Sequence, residues 1–112
     1  MRIKLMLVFL FFLVGSTSWA SERLFVSSIY DNIIAVYNPA DLIQPPTPVA
    51  VGVSPNQLVA SPAGDAIYVA NYTTADINVL DPASLTVTKT IPLSCAPFSL
   101  DIGADGNRAY AV

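Results

Sequence analysis

Histidine is absent from this 112-residue chain, and cysteine and glutamate each occur once. Without histidine there is no Ser-His-Asp triad, no histidine-bound zinc and no c-type haem attachment sequence. A single cysteine, Cys95, excludes an intrachain disulfide and a cysteine cage for a metal. The one glutamate, Glu22, leaves a paired-carboxylate hydrolase only aspartates to work with. No glycine-rich loop is present to cradle a phosphate. The sequence therefore assigns no catalytic residue, no cofactor and no metal ligand.

Positive charge is also scarce. Five Lys and Arg stand against eight Asp and Glu, a formal net charge of −3. Two of the five, Arg2 and Lys4, lie in an N-terminal segment argued below to be removed. Arg23, Lys89 and Arg108 then remain against all eight acids, a balance of −5. Nucleic-acid binding needs a basic footprint, so it is excluded as a function class.

What the sequence does have begins with an address. Arg2 and Lys4 precede the apolar run Leu5 to Val14, which Gly15-Ser16-Thr17 interrupts. Ser18-Trp19-Ala20 then places small residues at the −3 and −1 positions of a cleavage site. Charged, apolar, then small is the order of a secretory signal peptide. Residues 1–20 are read as that peptide, helical before removal, with cleavage between Ala20 and Ser21. The ten-residue run is shorter than the ~20 residues a membrane-spanning helix needs. No cysteine follows it closely, which argues against a lipoprotein anchor. The product is expected in the periplasm, at the cell surface or outside, with no membrane span after processing.

The remainder, 21–112, repeats itself. Arg23-Leu24-Phe25-Val26-Ser27-Ser28 resembles Ala66-Ile67-Tyr68-Val69-Ala70-Asn71, and Phe25 and Tyr68 lie 43 residues apart. Ile34-Ala35-Val36-Tyr37-Asn38-Pro39 matches Ile77-Asn78-Val79-Leu80-Asp81-Pro82 at the same offset. Pro55 matches Pro97, and Ser61 to Asp65 matches Gly103 to Asn107, both at 42 residues. A period of 40–45 residues carrying four short strands is the pattern of a β-propeller blade. Tyr68-Val69-Ala70-Asn71, Val79-Leu80-Asp81-Pro82-Ala83-Ser84, Val87 to Pro92, Pro97 and Asp105-Gly106-Asn107-Arg108 resemble one YVTN-type propeller repeat. The resemblance runs from Arg23 to the end. It departs at Ala70, where the family usually has Thr, at Ser27-Ser28, and at Gln44-Pro45-Pro46-Thr47-Pro48.

The fold class expected is all-β: four-stranded antiparallel blades in units of about 23–54, 55–96 and an incomplete 97–112. Strands are expected at 23–27, 33–37, 47–51, 57–61, 66–71, 76–80 and 85–91, with another beginning near Pro97. In this phase the first unit starts on its second strand, and its innermost strand is missing. Two blades and a part cannot close a ring, so the chain reads as a truncated propeller. Alternatively it associates with copies of itself.

Few residues stand out as contact candidates. Tyr30 and Tyr72 fall in equivalent turns 42 residues apart, where tyrosine makes a good partner contact. Tyr68 and Tyr110 are repeat positions expected in the core. Cys95 is expected to be a small, half-buried loop residue. Asn71-Tyr72-Thr73 matches a glycosylation sequon, but the repeat already accounts for Asn71. The favoured function is an exported binding scaffold for an unknown protein or small ligand. The alternative is the N-terminal part of a periplasmic propeller enzyme, like quinoprotein dehydrogenases or lactonases, with its catalytic residues in sequence beyond this chain.

Overall fold

A computed structural model describes the backbone of residues 5–11 and all of residues 22–112. The described residues are all-β and contain no helix. Ten strands form three antiparallel sheets. β1 (Leu5–Phe11), β2 (Arg23–Ser28), β3 (Ile33–Tyr37) and β4 (Thr47–Ala50) make the first, in chain order. β5 (Pro55–Ala60), β6 (Ile67–Asn71), β7 (Asp76–Asp81) and β8 (Thr86–Pro92) make the second, also in chain order. β9 (Leu100–Ile102) and β10 (Ala109–Ala111) form a two-stranded third. The strands expected between Arg23 and Ile91 are present, with ends shifted by no more than two residues.

The helix expected at the N-terminus is corrected. Leu5–Phe11 is a strand, and it pairs antiparallel with β2 from Leu5 opposite Ser28 to Phe11 opposite Arg23. The physical reason is the free edge of β2. An innermost strand is missing from residues 23–54, and an apolar run rich in Leu, Val and Phe suits a pleated ladder as well as a helix. The expected cleavage site, Ala20 and Ser21, lies outside the described residues, as does Trp19.

The sequence repeat is reproduced at the level of single hydrogen bonds. Val51 N–H donates to the Asn32 carbonyl at 3.1 Å, and Leu93 N–H donates to the Ala75 carbonyl at 2.9 Å. Ser61 N–H donates to Ala66 O and Gly103 N–H to Arg108 O, both at 2.8 Å. Gly64 and Gly106 take left-handed φ values of 76° and 73° in the same turn, a conformation glycine adopts without steric cost. Asn38 Oδ1 accepts from Ala40 N–H at 3.0 Å, and Asp81 Oδ1 from Ala83 N–H at 2.8 Å. Each pair sits one repeat apart, so the turn chemistry recurs with the strands.

Side chains alternate across each strand, and the second sheet uses both faces. Leu58, Ile67, Val69 and Leu80 point to the first sheet and close a core with Phe25, Ile34, Val36 and Val49. Ala70 and Ile77, with Tyr68 and Ile91 beside them, point the other way and pack with Leu100 of β9. Thus the sheets stand side by side, and β5 lies against both β1 and β9. β8 is the wet strand of its sheet, with Val87 and Ile91 half-buried and the residues between them exposed.

Two further expectations change. Tyr68 is half-buried, but Tyr110 is exposed: among the described residues β10 pairs only with β9, in a two-stranded sheet. Cys95 is exposed rather than half-buried, since the β8–β9 loop lies on the surface.

Candidate functional site

In antiparallel sheets alternate connections share an end. The β2–β3 turn, β4–β5 loop, β6–β7 turn and β8–β9 loop therefore gather at one end, here called the upper end. Hydrogen bonds tie the first three into one platform. Asn32 Oδ1 accepts from Ser54 N–H at 3.0 Å, and Ser54 O accepts from Tyr72 N–H at 2.9 Å. Val53 O accepts from Thr73 N–H at 3.1 Å, Thr74 Oγ1 from Val53 N–H at 3.2 Å, and the Ser54 and Thr73 hydroxyls bond at 2.8 Å. Asn32, Ser54 and Ala75 take left-handed φ values of 56°, 61° and 52°. Such values are uncommon outside glycine and need surroundings that hold them.

Beneath the platform lies a buried amide network. Asn71 Nδ2 donates to Asp76 Oδ1 at 2.7 Å and to Asn78 Oδ1 at 2.9 Å. Asn78 Oδ1 also accepts from Gly52 N–H at 2.8 Å, and its Nδ2 donates to Thr90 Oγ1 at 2.9 Å. Asn71 and Asn78 are both buried, and the bond between them is made away from water, where leaving it unmade is costly; Asn71 Oδ1 is buried with no partner among the described residues. The network joins the β4–β5 loop to β6, β7 and β8. It also explains the sequon: the Asn71 amide is buried and engaged, not offered to solvent.

Tyr30 and Tyr72, the two residues singled out by sequence, both stand on this platform. Tyr30 is 65% exposed in the β2–β3 turn, and Tyr72 is 38% exposed in the β6–β7 turn. Two residues missed by sequence reasoning join them. Phe98 of the β8–β9 loop packs against Tyr72, ring centroids 4.9 Å apart and planes tilted by 57°, and is itself 72% exposed. Val53 is exposed beside them in the β4–β5 loop. The signal for Phe98 was an aromatic where the previous repeat carries the polar Asn56. Asn56 and Gln57 bridge to the next sheet, Asn56 Nδ2 donating to Pro97 O at 3.0 Å and Gln57 Oε1 accepting from Leu100 N–H at 2.9 Å.

The lower end differs. Arg23 donates to the carbonyls of Pro82 and Ala83, tying the start of β2 to the β7–β8 turn. A cleft of about 530 Å³ opens there, lined by Arg23, Tyr37, Thr47 and Leu85 among others. Among the described residues no group of three or more His, Cys, Asp or Glu is placed to hold a metal.

No family model and no curated protein matches the chain. Solved structures do. One is hydrazine synthase from Kuenenia stuttgartiensis, with a TM-score of 0.72 and 27% identity over 80% of this chain and 25% of that one. Another is a functionally unknown protein from Desulfotomaculum acetoxidans, with a TM-score of 0.70 and 17% identity over 80% of this chain and 31% of that one. The chain thus spans between a quarter and a third of the length of these two neighbours.

Proposed function

We propose that the chain is part of an exported β-propeller whose upper loops form a binding scaffold. One observation carries this reading. Two repeats with the same strand order from Arg23 on (β2-β3-β4 and β6-β7-β8), the same turn geometry and the same hydrogen bonds stand side by side, with β5 against both β2 and β9. Stacking of repeats in that manner is how propeller blades bury their faces. It brings equivalent turns to one end, where Tyr30, Tyr72 and Phe98 are exposed on a hydrogen-bonded base. Aromatic side chains on rigid turns contribute large contact area at low entropic cost.

A second reading is favoured by the likeness to hydrazine synthase. In it the chain is the N-terminal part of a periplasmic enzyme, and the sheets support a catalytic group held elsewhere. The two readings differ in where function is lost. The Tyr30→Ala/Tyr72→Ala double variant of the exported protein is expected to stay folded by circular dichroism and to lose a partner that the parent protein retains in pull-down. Full retention of that partner by the double variant contradicts the scaffold reading.

A further inference from the structure

A charged side chain stands in the seam at the lower end. Arg23 lies two residues before the buried Phe25 on β2, so its side chain leaves the strand on the face turned to the second sheet. Its Nη1 donates across that seam to the carbonyls of Pro82 and Ala83. The next repeat carries Ala66 at the matching position, so the repeat itself requires no cation there. Both bonds use Nη1. The N–H groups on Nε and Nη2 have no partner among the described residues.

The cleft of about 530 Å³ is lined by this arginine, and a volume of that size suits a small molecule. Val36 and Thr47 sit opposite one another on β3 and β4 and share the seam face with Arg23. Val36 is buried, and Leu85 of the β7–β8 turn packs on the same core from the other side. Leu85 N–H donates to Asp81 O at 2.9 Å, which holds that wall in place. The cleft thus pairs an apolar surface with one anchored guanidinium. Charge decides the class of ligand. Arg23 is the one cation among the lining residues, and Glu22, which is exposed, lines the cleft without an ion pair to it. Residues 12–21, which join β1 to β2, contain no Lys, Arg, His, Asp or Glu. A half-buried guanidinium accommodates a carboxylate on two parallel N–H groups. A phosphate dianion would meet Glu22 with a single cation to hold it. We propose that the cleft binds a small organic carboxylate with an apolar body, its carboxylate on Nε and Nη2 of Arg23 and its body over Val36 and Leu85. The site lies apart from the upper platform and is independent of the scaffold reading.

Isothermal titration of the intact protein with phenylpropionate, and with the uncharged phenylpropanamide as control, tests this site. The acid is expected to bind about tenfold more tightly than the amide. Arg23→Lys keeps the charge but loses the planar fork, and is expected to weaken the acid by about fivefold. Thr47 is exposed at the start of β4, so Thr47→Glu leaves the core untouched while it adds a carboxylate to the cleft. That variant is expected to weaken binding by about tenfold. Asn107→Asp makes the same charge change on the exposed β9–β10 turn, outside the cleft, and leaves binding unchanged. Amide NMR shifts on adding the acid are expected at Arg23, Asn38, Thr47 and Leu85. Absence of binding by the acid, or equal binding of acid and amide, overturns the proposal. So does equal weakening by Thr47→Glu and Asn107→Asp, or a set of shifts confined to residues outside the cleft.

Discussion

At the residue scale, two positions test whether the turns are built as described. Asp81 closes the β7–β8 turn by accepting from Ala83 N–H and Ser84 N–H at 2.8 and 3.3 Å. These backbone bonds favour the ionised form and hold its pKa below the ordinary 3.8, against a smaller opposing effect of desolvation. The unfolded chain has no such bonds, so the carboxylate's stabilising contribution is complete above the ordinary value. It is lost as pH falls through the lowered pKa. A carboxyl-carbon NMR titration of Asp81 is expected to show a midpoint below 3.8. Asp81→Asn retains the oxygen acceptor and removes this part of the acid sensitivity. Gly52 is the second position. A Cβ there would come 2.5 Å from Thr74 Oγ1 and 2.6 Å from Asn71 Nδ2. Because Asn71 is locked in the buried network, Gly52→Ala is expected to cost about 1–3 kcal/mol in urea unfolding. Gly103→Ala, whose Cβ would lie 3.3 Å from the exposed Asp105 side chain, is expected to cost less.

At the scale of strands and sheets, stability depends on the seam between the first two sheets. Leu80 is fully buried there among Phe25, Ile34 and Val36. Leu80→Ala is expected to destabilise by about 2–5 kcal/mol through lost burial and a residual cavity. Lys89→Ala, on exposed β8, is expected to stay within about 0.5 kcal/mol. Chemical denaturation of the two variants against the parent checks both. The strands from Arg23 to Ile91 were legible in the sequence because their alternation coincides with turn residues such as Gly64, Asn38 and Asp81. These recur one repeat apart. β1 was not legible. A Leu-, Val- and Phe-rich run satisfies the pattern of an export signal and of a β-strand alike. Only the vacant edge of β2 selects the strand. The shared platform of Tyr30 and Tyr72 followed from the repeat spacing. The Phe98 contact and the Asn71–Asn78–Gly52 network did not, since they depend on how one sheet's loops meet the next.

For the whole molecule, packing and the proposed binding fall at different parts of the same repeat. The apolar seams hold the sheets together, and the upper turns, freed from that task, present the surface proposed to bind. At the lower end Arg23 ties the first sheet to the β7–β8 turn. Site-specific photocrosslinking in the producing cell tests this division most directly. A benzophenone amino acid replaces Tyr72 at the upper end or Asp105 at the lower end of the protein. A discrete crosslinked partner from position 72, with none from position 105, is the predicted result. Crosslinks from position 105 alone would contradict the account.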